Sequence, residues 1–203
     1  MAFNIVGEKM SKLSRDDLMN LETYAEQRAE FRTKVLEHKK NRKVMIGEHC
    51  TLYFEDRLTI QYQIQEMLRI EKIFEGEGIA EELSAYNPLI PDGGNWKATF
   101  MIEYTDVAER QAALAKMAGI EDKVWMQVVD FDRVFAIADE DMERSEENKT
   151  SAVHFMRFEL TEAMVSAVKQ GAAISTGIEH PAYTSSVEPV LPAVRDSLAA
   201  DLA

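Results

Sequence analysis

The chain has 203 residues and is short of cysteine and of positive charge, and each shortage excludes something. Its one cysteine, Cys50, cannot close an internal disulfide, and no CxxC pair exists. A disulfide scaffold is thereby excluded, as is a zinc or iron–sulfur centre held by several of the chain's own thiolates. Lys and Arg number 23 against 36 Asp and Glu, a formal charge of −13. A surface this acidic repels phosphate backbones and anionic lipid within a Debye length of about 8 Å, which argues against nucleic-acid and membrane partners. No run of about 18 apolar residues occurs, so no spanning helix is expected. The opening MAFNIVGEKMSKLSRDD lacks the apolar stretch of a secretory signal, and the expected location is the cytoplasm. GxSxG, HExxH, ExxH and P-loop motifs are absent, and Gly93-Gly94 reads as a turn.

What is present is 46% hydrophobic and 29% charged residues, enough for one sizeable core or two small packed lobes. The pattern changes near residue 95. Before it, Leu18, Leu21, Tyr24, Ala25, Arg28, Phe31, Val35 and Leu36 recur at helical spacing, opened by a weak capping box at Ser14 and Asp17. This helix runs into the basic cluster His38-Lys39-Lys40-Asn41-Arg42-Lys43. Cations there suit the negative end of a helix, and an anion-binding patch is the alternative. A short extended pair, Val44–Ile46 and Thr51–Phe54, precedes helices over about 56–74 and 79–86. The prolines and glycines of 87–95 end the helical run.

Beyond residue 95 the period is two. Strands are expected at Ala98–Tyr104, Lys123–Val129, Val134–Ala138, Ala152–Leu160 and Ala172–Glu179, with Asp130-Phe131-Asp132 as a tight turn. Helices fit at Val107–Ala118 and Glu162–Lys169, each followed by a glycine, and a last short helix lies in 189–203. The six acids of 139–149 predict a mobile, solvated loop. The expected fold class is α+β: a helical half with a short hairpin (1–95) packed on a mostly antiparallel five-stranded sheet with helices on one face (96–203), the two halves co-folded.

Some polar residues fall on apolar faces. On a helical wheel of 56–75, Ile60, Ile64, Met67, Leu68, Ile70, Ile73 and Phe74 cover most of the circumference, and Gln61, Gln65, Arg69 and Lys72 form the wet arc. Gln63, Glu66 and Glu71 project into the apolar arc. An unpaired buried carboxylate costs several kcal/mol, so Glu66 and Glu71 are expected to pair with arginine, bind a cation or move protons. His154 shares a strand face with Met156 and Phe158, and His180 is in phase with Ile174, Thr176 and Ile178. If those strands are neighbours, two imidazoles and the carboxylates Glu66 and Glu71 make a set suited to iron, manganese or zinc. The alternative for each histidine is a hydrogen bond to a backbone carbonyl. Cys50 reads as an inert structural thiol.

The stretch FEDRLTIQYQIQEMLRIEKI, followed by AYNPLIPDGGNWKATFMIEY, TSAVHFMRFEL and GIEHPAY, resembles an uncharacterised bacterial family, a domain of unknown function (number thirty-five hundred and one). The resemblance extends from about Leu13 to Tyr183. Its most specific part contains Phe54, Arg57, Thr59, Gln63, Gln65, Glu66 and Arg69. It implies a genomic setting beside rubrerythrin and iron–sulfur reductase subunits, hence electron transfer or peroxide defence. The expectation that follows is an accessory protein, without a cofactor of its own, that binds a redox or iron–sulfur protein partner. A metal-binding protein or enzyme using the carboxylates and histidines is the alternative, and a homo-oligomer is compatible with both.

Overall fold

The computed structural model describes residues 11–140, 144 and 149–203. In chain order its elements are α1 (Leu21–Lys39), β1 (Lys43–Ile46), β2 (Cys50–Glu55), α2 (Arg57–Ile70), α3 (Gly76–Tyr86), β3 (Asn95–Ile102), α4 (Val107–Lys116), β4 (Val124–Val128), β5 (Val134–Phe135), β6 (Ile137–Ala138), β7 (Val153–Glu159), α5 (Glu162–Lys169), β8 (Ile174–His180), β9 (Tyr183–Val187) and α6 (Pro192–Ala199). Four helices start on a side-chain cap. Asn20 accepts from the Thr23 N–H, Asp56 from Thr59, Asp106 from Glu109 and Thr161 from Met164. Each cap satisfies an amide that the helix leaves without a partner. Gly171, which follows α5, has φ 95°, the left-handed conformation that ends a helix at least cost to a residue without Cβ.

The fold is α+β, with an antiparallel five-stranded sheet in the order β1-β2-β3-β7-β6. A second sheet, β5-β4-β8-β9, is also antiparallel. The sequence pattern did not separate the two. The strand expected at Val134–Ala138 breaks at the buried Ala136, whose N–H bonds Val124 O. Val134 and Phe135 stay with β4, whereas Ile137 and Ala138 cross to β7. The neighbouring of β7 and β8 needed to join His154 and His180 is therefore corrected: these strands lie in different sheets. β9 was missed because Thr184-Ser185-Ser186 carries no apolar alternation to announce it.

The inward faces of both sheets share one core. Leu52, Phe54, Trp96, Phe100, Met156 and Phe158 come from the first sheet, and Val124, Met126, Val128, Ile174 and Ile178 from the second. Helices α4, α5 and α6 add Leu114, Met164, Val168, Val194 and Leu198. A separate small core joins Ile60, Ile64 and Leu68 of α2 to Leu13 and Ile90. The helical segment and the sheet are linked through strand pairing across residue 95, since Cys50–Glu55 runs antiparallel to Lys97–Ile102. Within 96–203, the Trp96 Nε1–H reaches Leu198 O of α6, at 3.0 Å. No helix among the described residues is long and apolar enough to cross a membrane.

Candidate functional site

Glu66 is paired, one of the roles expected of it. Arg28 of α1 grips its carboxylate at both oxygens, each 2.8 Å away, and the Tyr24 hydroxyl donates at 2.6 Å. These donors, Arg28 foremost, hold the Glu66 carboxyl down at about 2. A group with a depressed folded value stabilises the fold above its unfolded value, near 4.5, and loses that contribution as pH falls through about 2. Glu66→Gln keeps the shape and removes the charge. Because Arg28 is partly exposed, the expected loss is about 0.5–1 kcal/mol at neutral pH, shrinking toward zero near pH 2, and urea unfolding at several pH values reads it directly.

Glu71 is corrected. The helix ends at Ile70, Glu71 is its exposed C-cap, and Lys72 (φ 56°) turns the chain away, so the wheel phase does not extend that far. Gln65, assigned to the wet arc, is in fact fully buried. Its amide brackets the backbone of Met19, accepting from the N–H at 2.6 Å and donating to the carbonyl at 3.2 Å. His180 Nε2 bonds Ala118 O at 3.1 Å, and its Nδ1 accepts from the Ala182 N–H, the backbone-bonded role weighed for it.

His154 is fully buried and belongs to a polar network. Its Nδ1 lies 2.6 Å from Asp139, and Nε2 lies 2.8 Å from the Thr150 hydroxyl and 3.1 Å from Ser151 O. Thr150 donates to Glu121 at 3.0 Å, and Arg144 reaches Asp139 at 3.1 Å. Asp139 (φ 53°) also exchanges hydrogen bonds with the Phe155 backbone. One end of the acidic segment is thus anchored on β7. The expected mobility of 139–149 falls mostly on 141–143 and 145–148, outside the described residues. Glu66, Glu71, His154 and His180 therefore each have separate surroundings. Among the described residues no group of three or more His, Cys, Asp or Glu side chains is placed to hold a metal ion. Cys50 is fully buried, and burial pushes its thiol up to about 12.

The arrangement with open chemistry lies elsewhere, where the C-terminal end of α1, the start of α2 and the end of α6 meet around a cavity of about 570 Å³. Asp56 has two roles there. Oδ1 caps α2 through the Thr59 N–H, and Oδ2 sits 2.5 Å from His38 Nε2. Burial pushes Asp56 up, but the hydrogen bond from His38 and the charge of Arg42 outweigh it and hold Asp56 down at about 2; the carboxylate is ionised and accepts, so the proton between them is on His38 Nε2. His38 Nδ1 has no hydrogen-bond partner among the described residues. Arg42 is buried with its guanidinium fully used: Nε donates to Phe54 O, Nη2 to Glu55 O, and both Nη atoms to Asp201, the shorter contact being 2.6 Å. Asp201 is buried too, and burial pushes it up to about 6 despite Arg42. Lys34, exposed at the mouth, makes no ion pair among the described residues.

The basic cluster around His38 was the sequence signal for this place. Asp56 was visible only as a helix start, and Asp201 gave no signal because it meets Arg42 across 159 positions.

Residues 12–202 match the protein family described as a protein of unknown function, DUF3501. The chain belongs to the DUF3501 family. A crystal structure of a novel protein of unknown function from Burkholderia pseudomallei is 52% identical, covers 95% of this chain and 100% of its own, and superposes with a TM-score of 0.90. No curated protein matches. In the stretch that carried the DUF3501 resemblance, several side chains secure residues 11–28 to α2. Arg57 bonds Asp17 and Ser11 O, Gln65 holds Met19, and Glu66 holds Arg28. Thr59 closes the capping box with Asp56, which brings the stretch to the rim of the cavity.

Proposed function

We propose that the protein binds a small molecule bearing a compact oxyanion, carboxylate or phosphate, in the cavity rimmed by His38, and exchanges a proton with it through His38 Nδ1. The observation that carries this reading is the Asp56–His38 pair: Nε2 is fixed by a carboxylate, while Nδ1 lies unbonded on a side chain lining the cavity. Lys34 supplies an unpaired cation at the mouth, and Arg42 supplies buried positive charge that keeps Asp56 ionised. Titration calorimetry with inorganic phosphate and with malonate tests it. One ligand per chain is expected, with a Kd of about 0.1–1 mM, weakened at least about fivefold in Lys34→Ala and in His38→Gln. Affinity that neither variant alters would rule the reading out.

A second reading, the redox accessory protein implied by the family's setting, is favoured by the net charge of −13. That charge suits fast association with a basic face on an iron–sulfur or peroxide-reducing partner, and the association rate would fall steeply with added salt.

A further inference from the structure

The layer formed by α2 and α3 does not close onto the outer face of the five-stranded sheet. It leaves two cavities, of about 430 and 310 Å³, and Tyr86, Leu89 and Phe155 line both. Native interiors pack tightly enough that such a gap between layers is uncommon, and its size and largely apolar walls match those of small-molecule sites.

The polar groups of the larger cavity are unequally committed. Glu55 is occupied, its two oxygens accepting from Thr99 at 2.8 Å and Thr59 at 2.5 Å. Gln63 is not. On the same helix Gln61 donates to Asp17 O at 2.6 Å and Gln65 brackets Met19, yet the Gln63 amide makes no hydrogen bond with any described residue. Lys39, which also lines this cavity, makes no ion pair among the described residues, its Nζ lying 6.0 Å from the Tyr62 ring centroid. A half-buried amide and a cation beside aromatic walls have donor capacity to give, and no hydrogen-bond acceptor among the described residues receives it.

We propose that this slot binds a flat, ring-bearing molecule with one terminal oxygen acceptor, the ring between Tyr86, Leu89 and Phe155 and the acceptor at Gln63 and Lys39. An aryl ketone and an aryl carboxylate share this chemistry. The slot is separate from the His38 cavity, so the two proposals stand or fall independently.

Equilibrium dialysis against 2-acetonaphthone, 2-naphthoate and naphthalene, in excess inorganic phosphate so that an oxyanion site at the His38 cavity is already occupied, decides the matter. At least one acceptor-bearing probe is expected to bind one per chain, about fivefold or more tighter than naphthalene. Binding of the ketone marks a neutral ligand, and binding of the carboxylate alone an anionic one. Gln63→Leu should bring the acceptor probe down to the level of naphthalene and leave naphthalene unchanged. Val153→Trp should fill the slot and abolish binding of every probe. Gln63→Leu decides alone if that variant does not fold. An acceptor-bearing probe that binds no better than naphthalene, or whose binding survives Gln63→Leu undiminished, would overturn the proposal.

Discussion

Arg42→Met should cost about 3–5 kcal/mol of folding stability at neutral pH, more than either Glu66→Gln or His154→Phe. The methionine fits the volume of the side-chain stem but removes every donor that meets Phe54 O, Glu55 O, Ser197 and Asp201. Asp201, already pushed up by burial, then loses the cation that most favours its ionised form and takes up a proton. The loss should accordingly be smaller at pH 5 than at pH 8, because the unfolded chain, with Asp201 near its ordinary value, is ionised at both. Adding Asp201→Leu to Arg42→Met should recover part of the stability, since the carboxylate that lost its partner is gone as well. Chemical unfolding of the two single variants and the double variant reads the coupling. Strictly additive losses would show that the pair does not act as a unit.

His154→Phe should cost about 2–4 kcal/mol. The ring occupies a fully buried position and phenylalanine approximates its shape, so packing changes little. What changes is hydrogen bonding, because Asp139 at 2.6 Å and the Thr150 hydroxyl at 2.8 Å both lose the imidazole. Asp139 keeps Arg144 and the Phe155 N–H, which limits the loss to the lower part of the range for a buried charge stripped of a partner. Asp139→Asn, which retains most of the geometry, should cost less than His154→Phe. The ranking is read from urea midpoints, and the reverse order would mean that the carboxylate, and not the ring, organises this network.

The network illustrates what the sequence could and could not convey. Alternation along Val153–Glu159 placed His154 inward beside Met156 and Phe158 because a strand's period of two depends on local geometry alone. It could not name Asp139 as partner, since that contact depends on where a loop of acids returns to the sheet. Likewise α5 lies at Glu162–Lys169 as the pattern indicated, the glycine beyond its end being a local signal. Glu66 on an apolar arc correctly signalled a paired carboxylate. Gln65 escaped because a side-chain amide can be buried at little cost when a backbone segment distant in sequence meets both its donor and its acceptor. The pairing of His154 with His180 failed for a topological reason: alternation identifies the face of a strand but not the sheet it joins. The His38 cavity was legible by half, its basic side in one cluster and its acidic side in Asp56 and Asp201.

On the proposed reading, His38 is fixed through Nε2 by Asp56 and offers Nδ1 to a bound oxyanion. The most direct test is the imidazole spectrum of ¹⁵N-labelled protein titrated with inorganic phosphate at constant pH and ionic strength. The His38 Nδ1 resonance is expected to shift and to saturate with the same Kd as calorimetry. The Nε2–H should keep its hydrogen bond to Asp56, and the resonances of His154 and His180 should not move. A His38 resonance that stays unmoved while phosphate binds, or shifts of all the histidines alike, would contradict it.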